Sequence, residues 1–208
     1  MNTVPQARIW RMVANNQLSL IWGVQTSTRD HDFASVSNQL TNGLIGERIL
    51  LVRKGHEQDY AHVKTTDDLR RLGKVGGVGE GWFDVEVWQL NALPVYIKSG
   101  DWRQMFRMLA NGDRGIDYMV RGANEIVDEA ASYPDLGIEP NLILAHDRDM
   151  HLYLSPEAER YKSIIESALA QADRSGLKNK LIAQYILPDL KVLNLDKRLR
   201  LKLNTPPL

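Results

Sequence analysis

From residue 74 to residue 121 the chain switches repeatedly between strand-type and helix-type periodicity, with glycines, aromatics and charges gathered at the switches. No other feature restricts the fold as much. The run Lys74-Val75-Gly76-Gly77-Val78-Gly79-Glu80-Gly81 leads from a β-type stretch into a turn, and residues 82–90 continue with apolar side chains at helical spacing. A strand thus feeds a helix N-terminus across nearly bare backbone, where amide groups and the positive end of the helix dipole admit an anionic group. Residues 94–98 then predict a short strand, 101–110 a helix capped by Ser99 or Asp101, and 116–120 a further strand. Such alternation predicts an α/β fold with a parallel sheet covered on both faces.

The rest of the chain fits around that stretch. Residues 5–15 predict a helix with Ile9, Trp10, Met12 and Val13 on its apolar side, and residues 18–24 a buried strand. A polar loop holding Thr26, Arg29, Asp30, His31 and Asp32 follows, and then a long strand over 47–54, suited to carry the chain from one lobe to another. Thr65 or Thr66 caps a short helix over 67–72, a helix over 124–133 stops at Pro134, and strands are expected over 138–145 and 152–154. Residues 156–174 predict an amphipathic helix with Tyr161, Ile164, Ile165, Ala168 and Leu169 inward and Gly176 as its stop. A second helix over 178–186 and an extended tail over 199–208 close the chain.

Lys plus Arg and Asp plus Glu number 26 each, so the formal net charge is zero and no basic run offers a grip on nucleic acid or an anionic membrane. The absence of cysteine removes disulfides, thiolate nucleophiles and cysteine metal sites together. No apolar run approaches the ~20 residues that span a bilayer, and the first residues lack the basic and apolar regions of an export signal. As written, the chain reads as cytoplasmic and is expected not to insert into a membrane.

Three pieces in order resemble the type 3 bacterial extracellular solute-binding proteins, the periplasmic receptors of amino acid uptake. They are Trp22-Gly23-Val24-Gln25-Thr26-Ser27-Thr28-Arg29, the Gly79-Glu80-Gly81-Trp82 turn, and Gly112-Asp113-Arg114-Gly115-Ile116-Asp117-Tyr118 with Arg121-Gly122 after it. The two closing helices resemble the family's last pair. The resemblance implies two α/β lobes of the type II periplasmic-binding-protein-like fold joined by crossing strands, with a ligand in the interlobe cleft. It places residues 1–53 and 156–208 in the first lobe and 54–155 in the second. It also implies that the first lobe lacks its opening strand, helix and strand, so that the chain is short at its N-terminus.

What the resemblance implies for function is binding of a small polar, carboxylate-bearing, amino-acid-like solute without chemistry or cofactor, for an ABC-type transporter's membrane component, in the periplasm. Arg29 is expected on the ligand carboxylate, since its planar fork binds two oxygens at once, with Thr26 beside it. Gly81 and Trp82 are expected to meet the same carboxylate from the second lobe, and Trp22 to stack on the ligand. Tyr118 and Arg121 end the strand where an acidic residue commonly accepts the ligand's ammonium. Here Gly122 stands in that place, which leaves Asp84 or Glu125 as substitutes and Arg121 as a candidate for a second anionic group. A dehydratase-like enzyme on the same fold and a sensing or interaction module that has lost its ligand are the alternatives.

Other motifs point less far. The GGVGEG run lacks the Lys-Ser or Lys-Thr ending of a phosphate-binding loop and the full dinucleotide spacing. His31 with its aspartate neighbours, and His146 and His151 around Asp147 and Asp149, have polar spacing that suits a metal, but polar turns produce such clusters by chance, so no metal is expected. No Gly-x-Ser-x-Gly elbow or His-Glu-x-x-His pair is present.

Overall fold

The computed structural model describes residues 4–208. In chain order the first elements are α1 (Gln6–Ala14), β1 (Leu20–Val24), α2 (Ser27–Asp32), β2 (Ala34–Val36), β3 (Glu47–Arg53), α3 (Thr66–Leu72), β4 (Gly76–Gly79), α4 (Phe83–Leu90), β5 (Val95–Lys98) and α5 (Gln104–Asn111). Next come β6 (Tyr118–Gly122), α6 (Ile126–Ser132), β7 (Leu136–Ile138), β8 (Leu142–Ala145), β9 (Met150–Leu154), α7 (Lys162–Arg174), α8 (Leu177–Tyr185), α9 (Leu187–Leu193) and β10 (Leu199–Lys202). The chain divides into two compact units. One comprises the residues up to Gly43 with Arg148–Pro188 and Pro207–Leu208, and the other comprises Leu44–Asp147 with Asp189–Pro206.

Unit 1 is built on a three-stranded sheet of order β1-β9-β2, with β9 antiparallel to both neighbours. Strand alternation sends His151 and Tyr153 to one face and Leu152 and Leu154 to the other. On the first face Trp10 of α1, Phe33 and Tyr153 form a tilted ring cluster with centroids 5.1 to 6.4 Å apart. On the second, Val36, Leu154 and Ala158 form a small core against which Ile165 and Leu169 of α7 pack. Sequence periodicity places Tyr161 and Ile164 inward as well, but they are 47% and 66% exposed. This three-stranded sheet is narrow, and α7 and α8 carry no fully buried residue.

Unit 2 carries a seven-stranded sheet of order β10-β8-β3-β6-β4-β5, with β7 also paired to β3. The parallel sheet expected from residues 74–121 forms over those residues, and the wider sheet is mixed. β4 runs parallel to β5 and β6, and β10 to β8, whereas β3 is antiparallel to β6, β7 and β8. β3 is the core of the unit, with Ile49, Leu50, Leu51 and Val52 fully buried. The chain changes units at Gly43–Leu44, before β3, and at Asp147–Arg148, after β8.

Local signals explain most boundaries. Thr65 and Asp68 form a reciprocal capping box at the start of α3, and Gly73 closes that helix in a left-handed conformation. The glycine-rich β4 lies where Trp88 and Tyr118 crowd the backbone, and Trp88 Nε1 donates to the Tyr118 hydroxyl at 2.9 Å. Three short elements are not signalled by the sequence: the polar loop after β1 is helical over α2, capped by the Thr26 hydroxyl on Arg29 N–H, β2 follows it, and α9 lies between α8 and β10.

Candidate functional site

In unit 2 the turn leading from β4 into α4 needs a positive φ at Gly81, at +78°, and Trp82 then starts the helix without a side-chain cap. The Trp82 ring folds back over Gly79, where a Cβ would lie 2.6 Å from the indole. Trp82 meets Trp102 edge to face at 5.1 Å. The Arg121 guanidinium lies against both rings, 4.9 Å from the Trp82 centroid and 4.6 Å from that of Trp102. It also forks onto Glu129, with Nε and Nη2 donating at 2.6 and 2.7 Å, and reaches Glu125 at 3.2 Å. Burial would lower the Arg121 pKa, but Glu125 and Glu129 outweigh it and raise the value. Burial pushes the Glu129 carboxyl above its ordinary range against the pull of Arg121.

Beneath this box Asp84 is fully buried and receives Arg48 in a second fork, at 2.7 and 2.6 Å. Arg48 lies 3.9 Å from Glu125. With all five groups ionised, three carboxylates face two guanidiniums and one negative charge is left over. Glu125, with 28% of its side chain exposed, is the most open of the five.

The structure thus brings Gly81, Trp82, Asp84, Arg121 and Glu125 together but engages two of them inside the protein. Asp84 gives both oxygens to Arg48. Arg121 is only 6% exposed and is paired with Glu129 and Glu125. Tyr118 is a core residue whose hydroxyl is taken by Trp88, and burial raises its pKa. Trp102, which sequence reasoning set aside, completes the box, and its one signal was its place at a helix start beside Asp101.

In unit 1 the Arg29 guanidinium donates to the Val24 carbonyl and lies 4.9 Å from the Trp10 ring centroid. Thr26 caps the same helix. Trp22 is 63% exposed and leaves β1 on the face opposite Gly23, against which Trp10 packs. Hence Thr26 and Arg29 lie together while Trp22 stands apart from them. Among the described residues no group of three metal-ligating side chains exists, and no helix is long and apolar enough to cross a membrane.

No protein-family model matches the sequence, and no curated protein is similar to it. Solved structures do match. An amino acid ABC transporter substrate-binding protein from Streptococcus pneumoniae, bound to L-arginine, superposes with a TM-score of 0.68 over 90% of this chain and 76% of its own, at 16% identity. The fold is that of the amino acid ABC transporter substrate-binding proteins. Other structures with this substrate-binding-protein fold agree. An ancestral arginine-binding protein bound to glutamine gives a TM-score of 0.66 at 16% identity, covering 87% of this chain and 76% of its own. An ABC transporter binding component from Wolinella succinogenes complexed with lysine gives 0.67 at 14%, covering 88% and 76%. These neighbours are binding proteins rather than enzymes, and the resemblance read from the sequence is upheld as a likeness of fold.

Proposed function

We propose that the chain binds a small, polar, carboxylate-bearing solute of the amino acid type and serves a periplasmic ABC-type uptake system. What supports the reading is its fold, because the solved structures that share it hold arginine, glutamine or lysine. In unit 1, Arg29 and Thr26, which lie together, serve the carboxylate. In unit 2, the Gly81–Trp82 helix start offers its amides to an anionic group and Glu125 takes an ammonium. Glu125 suits that role because it is the most open carboxylate of the cluster. The Trp82, Trp102 and Glu129 cradle already holds Arg121, so a second guanidinium from the ligand has no place there.

Calorimetry with a panel of amino acids and dicarboxylates tests this. Amino acids are expected to bind, with Arg29→Ala and Glu125→Gln each weakening the affinity roughly tenfold or more, as loss of a charged hydrogen bond does. Absence of binding by every member, or unchanged affinity in both variants, overturns it. A second reading, an interaction module, is favoured by one observation: Leu20 and Trp22 are exposed on β1, an edge strand of its sheet. It predicts no thermal shift with any solute of the panel.

A further inference from the structure

Unit 1 contains a polar cavity of about 470 Å³ of its own, lined by Gln25, Asp30, Ser35, Ser37, His151 and Lys162 among others. None of these residues belongs to the grip proposed above. The volume lies in the range of small-molecule sites, but the lining is almost wholly polar, so the occupant must be polar too.

Two groups in this cavity, His151 and Asp30, keep hydrogen-bonding capacity to spare. His151 is 5% exposed, and the contact of its ring is Ser35 Oγ at 3.5 Å, at the limit of a hydrogen bond. Burial lowers its pKa against the opposing pull of Asp30 and Asp149, so its imidazole is neutral at pH 7 and can both donate and accept. Asp30 accepts from two neutral donors, Gln25 Nε2 at 2.7 Å and the Tyr153 hydroxyl at 3.1 Å, and has no ion-pair partner among the described residues. An ionised carboxylate offers about four acceptor positions, so Asp30 can take further donors. Lys162 supplies a positive charge in the lining, with 41% of its side chain exposed and Glu166 no nearer than 4.0 Å.

We propose that this cavity is a binding site for a small zwitterion, whose ammonium group sits on Asp30 and whose carboxylate meets Lys162. His151 supplies the remaining hydrogen bond. The site lies entirely in unit 1 and goes beyond the uptake reading, since it binds whether or not unit 2 contributes.

The test uses the full chain, labelled with ¹⁵N and titrated with L-glutamine, methylammonium and acetate while the His151 ring nitrogens and the Trp82 indole are followed. L-Glutamine is expected to move the His151 signals and to bind at least about tenfold more tightly than either single-charge fragment, because two charged hydrogen-bonding ends act together. Asp30→Asn is expected to weaken that binding about tenfold or more, while Tyr153→Phe, which spares the carboxylate, changes it far less. Should Asp30→Asn fail to fold, Lys162→Met on the more open side carries the test, with a loss of several-fold expected. Movement of the Trp82 indole with His151 unmoved overturns this site and leaves the uptake reading standing. Equal binding by methylammonium, or unchanged binding in Asp30→Asn or in Lys162→Met, overturns it as well. Movement of His151 with the Trp82 indole unmoved supports the site and counts against the uptake grip.

Discussion

Arg121 illustrates how a charge can be placed correctly from sequence and yet do something other than its position suggests. Its guanidinium is flanked by two indoles and forked onto Glu129, so its value to the protein lies in neutralising a half-buried carboxylate. Arg121→Ala is therefore expected to cost about 3–5 kcal/mol, as loss of one partner of a buried ion pair does, and urea unfolding would measure it. Arg121→Lys should recover only part, because an ammonium cannot fork onto both oxygens or stack flat on a ring. His151 gives a prediction in pH. Its folded pKa lies below its ordinary value of 6.5, so the unfolded chain takes up a proton first as pH falls. The stability it contributes is fully present above pH 6.5 and is lost as pH drops toward the folded pKa. His151→Gln should flatten this part of a stability–pH curve measured by thermal unfolding, and a curve unchanged in slope would contradict the account.

Among elements, the segment before β3 is held by one carboxylate. Asp149 is 2% exposed and accepts from Thr41 N–H, Thr41 Oγ1, Gly43 N–H and Met150 N–H, which ties residues 41–43 to the start of β9. Asp149→Ala leaves several buried donors unanswered and is expected to cost about 3 kcal/mol or more. Hydrogen exchange should then show Thr41 and Gly43 amides losing protection first. Much at this scale was legible in the sequence: residues 6–14, 83–90 and 95–98 carry clear periodicity, and the capping box at Thr65 and Asp68 is a local signal. What was not legible depended on distant partners. The antiparallel setting of β3 is a matter of which strands it meets, which periodicity along one strand cannot encode. For the candidate site, Trp82 beside a glycine turn was readable, but the pairing of Arg48 with Asp84 spans 36 residues and left no local trace. The alternation in Ala34-Ser35-Val36-Ser37 and in Met150-His151-Leu152-Tyr153 was the available sign of the unit 1 cavity, and it was too short to stand out.

For the whole molecule, the contrast between the units predicts behaviour in solution. Unit 2 surrounds its central strand, whereas unit 1 leaves Leu20 and Trp22 exposed along an edge strand and Ile164, Leu181 and Tyr185 exposed on its helices. Trp22→Thr keeps strand propensity and is expected to leave stability within about 0.5 kcal/mol. It should reduce concentration-dependent association in light scattering, and undiminished association would show that β1 is not its seat. The path of the chain has a separate consequence. It changes units after Gly43, Asp147, Pro188 and Pro206, and β10 returns near the end to pair with β8. A single proteolytic nick therefore sets neither unit free, and the two halves of a cut chain should remain associated on a native sizing column and separate only in denaturant.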